Sequence, residues 1–331
     1  MYLGIDQGGT KTAALVCDLN GNVLGVGYDS GLSTVYFNDA EKLYIKRIVN
    51  ASQKACDMAG IKLSEIKAVC GGLSGADWDF EYPILRERLF RGLGIEDAIV
   101  LNDCMVAMRG GSAKKECAVI CAGSGLNIAL RRADGEQFIY GYYIDDAYQG
   151  AHALGKLALQ KIVEAHLEIS EPTLLTELIL AQTPFGTVED MMIATTTGKY
   201  TLEAKTLAPL LGKAIAAEDR EAISVMDKFA EGIAKYVTAG MKRMGLNDAA
   251  LDIVFSGGVF KGAGHLIADR IFEIITKIEP HVSKIHAGYE PVCGAALILL
   301  EREHGGELPE TVSANFDESA RAKGLLRNIA D

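Results

Sequence analysis

The feature that most constrains this chain is a repeated order of turns. Residues 2–16 (YLGIDQGGTKTAALV) read as an apolar strand, a Gly-Gly break and a second β-branched strand, after which Asn20-Gly21 turns into NVLGVG. Both residues of an Asn-Gly pair tolerate positive φ, so three antiparallel strands are predicted to open the chain. The same grammar returns about 115 residues later. AVICAGSGLNIALRR breaks at residues 123–125, and Asp134-Gly135 precedes QFIYGYY.

After each trio the apolar periodicity alternates between helix and strand. The first half predicts a helix over 40–59, a strand over 67–73, a helix over 82–92, a strand over 97–101, and a helix after Asn102-Asp103. The second predicts helices near 151–167, 203–217 and 220–244. A strand over 252–256, a helix over 264–278, a strand over 283–287 and a helix from Pro291 to about Glu303 follow. Both halves read β-β-β-α-β-α-β-α, an α/β chain of two mixed sheets with flanking helices and a ligand crevice between the copies. The predicted divisions are 1–115, 116–303, and a tail over 304–331 that packs back on the surface. A length of 331 residues suits two domains.

Charge narrows the partners. Lys and Arg total 33 against 44 Asp and Glu, a net charge of -11, which is no footprint for nucleic acid or an anionic membrane surface. An anionic ligand must then be held locally, by backbone amides or a metal. No apolar run approaches the roughly 20 residues of a spanning helix. The opening MYLGID lacks a basic n-region, and the seven cysteines form no C-x-x-C pair. Together these predict a cytoplasmic protein with buried thiols. The six histidines fall at no ligand spacing and read as structural.

The loop Asp6–Thr12 lies between two strands and is not a Walker A loop. Gly8 and Gly9 let backbone N–H groups approach a ligand, and Thr10 and Thr12 add hydroxyls that can bond phosphate oxygens. Alone, this motif also fits a tight turn. Gly123, Ser124 and Gly125 repeat the device, so the two hairpins are predicted to hold a polyphosphate from both sides. Asp6 ends an apolar strand, where a carboxylate is costly to bury without a cation, and hydrated Mg²⁺ is a suitable partner. Asp103 follows strand AIVLN, and its position alone leaves two roles open, helix N-cap and catalytic acid or base. Gly257 and Gly258 end another strand and suit a flat ligand lying on backbone, such as adenosine. Trp78, Tyr140, Tyr142, Tyr143 and Tyr148 are candidates either for stacking on a sugar or for packing.

With DQGGTKT, LNDC, AGSG, FSGGV and EPVCGAA in that order, the sequence resembles the sugar kinase, Hsp70 and actin superfamily. Within it, GLST at 31–34, GLSGAD at 72–77 and LPETVSAN at 308–315 resemble the N-acetylglucosamine kinase branch of the BadF/BadG/BcrA/BcrD ATPase family. The resemblance implies two ribonuclease H-like (actin-like ATPase) domains, each a mixed five-stranded sheet with flanking helices, with a cleft between them. It implies ATP and Mg²⁺ as cofactors, a small-molecule sugar as substrate and a homodimer. Asp103 would be the general base on the sugar 6-hydroxyl. Gly8–Thr12 and Gly123–Gly125 would grip ATP phosphates, and Gly257 and Gly258 would flank adenosine. Ser33, Thr34, Asn102, Asp103, Tyr142 and Tyr148 would line the sugar site.

Two departures from that branch stand out. Ala147, Tyr148, Gln149, Gly150 and Ala151 occupy the place of a Gly-Asp-Glu-Gly-Ser stretch whose Asp helps hold the sugar, and Val35 replaces a polar residue. An amino sugar such as N-acetylglucosamine is the expected acceptor, with glucosamine, N-acetylmuramic acid or another hydroxyl compound as alternatives. Two other activities remain open. One is an ATPase that activates a 2-hydroxyacyl-CoA dehydratase through an iron-sulfur cluster, and the other is a nucleotide or sugar sensor without turnover.

Overall fold

In the computed structural model, residues 1–32 and 40–326 are described. The chain begins with β1 (Tyr2–Gln7), β2 (Lys11–Cys17) and β3 (Val23–Ser30), then α1 (Ala40–Ala59), β4 (Ala68–Leu73), α2 (Glu81–Leu93), β5 (Ala98–Asn102) and α3 (Asp103–Gly111). Their strands form one sheet in the order β3-β2-β1-β4-β5, with β1 antiparallel to β2 and parallel to β4.

Next come β6 (Cys117–Ala122), β7 (Leu126–Arg131), β8 (Gln137–Ile139), α4 (Gly150–His166), α5 (Leu174–Leu180), α6 (Val188–Thr196), α7 (Ala208–Ala216) and α8 (Arg220–Met244). They are followed by β9 (Asp252–Ser256), α9 (His265–Thr276) and β10 (Ser283–His286), and the second sheet runs β10-β9-β6-β7-β8. Two five-stranded sheets built on matching hairpins are what the repeated turns predict.

The side-chain period of two explains how the first sheet is buried. Leu3, Ile5, Ala14, Val16, Val69 and Leu73 face Tyr44, Ile48, Leu85 and Leu89 of α1 and α2. Their neighbours Tyr2, Leu15, Cys17, Ala68 and Cys70 point to the other face. With both faces covered, the strands read as near-continuous apolar runs.

The cover on that other face comes from far along the chain. Helix α10 (Pro291–Glu303) supplies Val292, Ala296 and Leu299, and α11 (Glu310–Ala322) supplies Val312, Phe316 and Ala320. A β-carbon added at Gly4 would lie 2.8 Å from Ala296 N, so glycine lets β1 and α10 touch backbone to backbone. One compact unit therefore joins Met1–Val119 with the described residues from Ile285 onward, and the other is Ile120–Lys284. The sequence boundaries place α10 in the second half and the tail on the surface. The structure instead puts α10 on the first sheet, and the tail's Phe316 is fully buried in its core.

Local differences have local causes. Strand β8 stops at Ile139, because Gly141 takes φ +48 and a short turn carries Gly141–Tyr143 away from the ladder. Helices α5 and α6 are additions to the predicted pattern. At seven and nine residues they hold little periodicity, but each is opened by a threonine, Thr173 accepting from Leu175 N and Thr187 from Asp190 N.

Candidate active site

In the first unit, the β1–β2 turn closes with Gly8 N donating to Lys11 O at 3.0 Å. Gly8 is partly exposed, and Gly9 and Thr10 are exposed. Two of the residues expected to reach phosphate are committed elsewhere. Thr12 is fully buried and its hydroxyl donates to Ser30 O at 3.0 Å. Lys11 Nζ pairs with Glu290 Oε2 at 2.9 Å and lies 5.4 Å from the Tyr28 ring centroid. Strand alternation accounts for Thr12, which lies opposite Gln7 in the ladder and faces inward.

Asp103 is the first residue of α3 and is not its cap. The cap of this helix is Asn102, whose Oδ1 accepts from Cys104 N at 2.9 Å while its Nδ2 donates to Ala76 O at 3.3 Å and Asp77 Oδ1 at 2.9 Å. Asn102 is fully buried with both ends of its amide used. Asp103 is left next to the turn: a β-carbon added at Gly8 would be 4.0 Å from Asp103 Oδ2.

Burial first, and then the nearby Asp6 and Asp77 carboxylates, push the Asp103 carboxyl up to about 7. The Cys104 amide and its own amide pull the other way without reversing the shift. Asp77, the last residue of GLSGAD, is not among the site residues expected from the sequence. It accepts from Asn102 and is held by Glu81, whose Oε2 accepts from the Asp77 and Trp78 amides at 2.7 Å each. Ser33 and Thr34 lie outside the described residues.

In the second unit, the turn after β6 closes with Gly123 N donating to Gly125 O at 2.9 Å. The start of α4 lies on this turn, Ala151 N donating to Gly123 O and His152 N to Ser124 O. Gly150 takes φ +50, and a β-carbon there would fall 2.2 Å from Gly125 O. Gln149 adds a side-chain strut, its Oε1 accepting from Leu126 N at 3.1 Å. The altered 147–151 stretch thus supports the glycine turn.

Gly257 follows β9 with φ +111, and its missing β-carbon would lie 2.1 Å from Ala122 O, which brings the second glycine strap directly against the first. By contrast, β-carbons at Gly123 and Gly258 would meet no atom within 4 Å. Ala122–Gly125 and Gly257-Gly258 therefore form one small platform that is open at Gly123 and Gly258.

The aromatic residues divide. Tyr140 is buried and donates to Tyr236 O at 2.6 Å. Tyr148 fills the notch left by Gly232, its ring 6.4 Å from Phe229 and 6.0 Å from Tyr236, so packing accounts for it. Tyr142 is exposed.

The thiols are mostly interior. Cys121 is partly exposed, the other six cysteines are buried, and among the described residues there is no disulfide and no group of three His, Cys, Asp or Glu fit to hold a metal. Among the described residues, no helix is long and apolar enough to cross a membrane.

The family model of the BadF/BadG/BcrA/BcrD ATPase family matches residues 3–298. The chain belongs to that family. Within it, N-acetyl-D-glucosamine kinase of Dictyostelium discoideum is 23% identical over 325 residues, covering 91% of this chain and 98% of the relative. N-acetylmuramic acid/N-acetylglucosamine kinase of Clostridium acetobutylicum is 25% identical over 302 residues, covering 89% and 97%. The crystal structure of a ROK family glucokinase from Streptomyces griseus in complex with glucose and AMPPNP shares the fold. Its TM-score is 0.58 at 18% identity, over 89% of this chain and 98% of that one. Family membership and this likeness agree with the two five-stranded sheets and their flanking helices.

Proposed function

We propose that the chain is an ATP-dependent sugar kinase. It transfers the γ-phosphoryl group to a hydroxyl, O6 of an amino sugar such as N-acetylglucosamine, with Asp103 as general base. The observation that carries this reading is Asp103: Asn102 relieves it of capping, Gly8 of the turn is beside it, and its carboxyl is poised at about 7. A base works best with a pKa near the working pH. Its carboxylate takes the hydroxyl proton as the sugar oxygen bonds to phosphorus and the bond to the ADP oxygen breaks, a transfer that depends mainly on positioning and charge neutralisation.

The family and the names of both curated relatives support a sugar acceptor. In this reading the backbone at Gly8, Gly9 and Thr10 and at Gly123, Ser124 and Gly125 holds phosphates, and Gly257-Gly258 lies under adenosine. The Thr12 hydroxyl is engaged by Ser30 O, and the exposed Lys11 would exchange its Glu290 partner to reach a phosphate.

Magnesium fits the acidic residues present. Asp6 and Asp77 are close enough to raise Asp103 electrostatically, yet no three acidic side chains are grouped to ligate a metal directly among the described residues. A Mg²⁺ that keeps its waters, one carboxylate and the nucleotide phosphates needs no more than Asp6 from the protein. Bound there, it would neutralise phosphate charge.

The test is ADP release from Mg-ATP with N-acetylglucosamine, glucosamine, N-acetylmuramic acid, glucose or no sugar, run for the parent and Asp103→Asn. Stimulation by one sugar that falls by about 10²- to 10⁴-fold in the variant is expected. Sugar-independent release, or none, would overturn the kinase reading.

A further inference from the structure

The fully buried Gln7 amide spends its hydrogen-bonding groups on three loops. Nε2 donates to Gly8 O at 3.2 Å and to Leu32 O at 2.8 Å, while Oε1 accepts from Ser74 Oγ at 2.7 Å. Backbone bonds follow the same lines: Leu32 N to Gly8 O, Gly31 N to Thr10 O, and Ser74 N to Gln7 O. Tyr44 of α1, also fully buried, donates to Ser74 O at 3.1 Å. A β-carbon added at Gly31 would lie 2.3 Å from both Gly8 O and Lys11 N, so this segment rests directly on the turn.

The sheet does not require this knot, because the β1 ladders to β2 and β4 are made by backbone. A buried amide with both donors and its acceptor engaged is costly to break, and it fixes the groups it joins in one arrangement. We propose that Gln7 is a positioning residue that locks turn 8–11 to Leu32 and Ser74 and transmits nucleotide occupancy of the turn to both. The inference rests on the reading of this turn as a phosphate cradle.

Amide hydrogen exchange on the full chain, with and without Mg-AMPPNP, tests it. In the parent, nucleotide slows exchange at Gly8–Lys11 and also at Leu32 and Ser74, the latter by about fivefold or more. In Gln7→Glu, whose carboxylate cannot donate to two carbonyls, the turn still responds while the response at Leu32 and Ser74 shrinks, carried then only by the backbone bonds Leu32 N to Gly8 O and Ser74 N to Gln7 O. Ser74→Ala is the milder variant and keeps the proposal testable if Gln7→Glu fails to fold. The Ser74 hydroxyl also lies 3.2 Å from Leu32 O, but Gln7 Nε2 still holds that carbonyl in the variant, so the response weakens at residue 74 and is kept at Leu32, a selectivity that general loosening would not produce.

Protection confined to Gly8–Lys11 in the parent would overturn the proposal, as would full transmission in both variants. Protection nowhere in the parent would overturn the phosphate reading and, with it, the inference. Sugar-independent ADP release together with intact transmission would sink the kinase reading alone.

Discussion

Replacing Asp103 by Asn is expected to stabilise the protein at pH 8 while ending sugar-dependent turnover. Burial and the Asp6 and Asp77 carboxylates raise the Asp103 carboxyl from 3.8 to about 7. A shift of about three units corresponds to about 4 kcal/mol at 1.36 kcal/mol per unit. The residue as a whole keeps partial exposure, and screening by water reduces this to about 2–3 kcal/mol.

The folded acid binds its proton more tightly than the unfolded one. Its stabilising contribution is therefore complete below about pH 4 and is lost as pH rises through about 7. Asn carries no charge and escapes that loss. Thermal unfolding of parent and variant at pH 4, 6 and 8, in chelator and without nucleotide, isolates the effect from any bound cation. At about 2–4 °C per kcal/mol, the variant should melt several degrees higher at pH 8, with the gap closing toward pH 4. A gap of equal size at pH 4 and pH 8, or a variant that melts lower at pH 8, would refute the electrostatic account of Asp103.

Gly123→Val and Gly258→Val should leave the melting temperature within about 2 °C of the parent, since β-carbons there meet no protein atom within 4 Å, yet both should weaken Mg-AMPPNP binding at least tenfold, roughly the loss of one good contact. Unchanged affinity by calorimetry would rule out the platform as the nucleotide site. Arg302 holds both Asp97 oxygens, at 2.8 and 2.7 Å, and keeps the Asp97 carboxyl below its ordinary value. This acid supports the fold above its unfolded pKa and stops doing so as pH falls through its folded one. Arg302→Met should therefore lower the melting temperature at pH 7 and match the parent in strong acid, and a pH-independent difference would point to lost packing of the arginine stem.

The two hairpins were legible because their turns carry their own chemistry: Asn20-Gly21 and Asp134-Gly135 specify a change of direction without tertiary help. Asp103 was legible as a position, since a polar residue after an apolar strand stands out. Which residue caps α3 was not, because a cap at 102 and a cap at 103 look alike until hydrogen bonds are assigned. Gln7 and Ser74 lie inside the motifs DQGGTKT and GLSGAD, but neither motif shows that the two side chains meet. Their importance comes from a buried amide meeting three loops that are distant in sequence. The commitment of Lys11 to Glu290 was hidden for the same reason. Periodicity found α10 but could not say which sheet it covers, because an apolar helix face fits either one equally well.

The long return of α10 and α11 sets an order of assembly. As the chain emerges from the ribosome, β1 to β5 appear first, but Tyr2, Leu15 and Val26 gain their covering partners only when Val292, Leu299 and Phe316 have been made. The second unit is contiguous from Ile120 to Lys284 and has its own strands and helices in hand before then. The unit that starts synthesis is thus completed last, and its half-covered sheet is the surface a nascent chain must keep from aggregating until its final helices arrive.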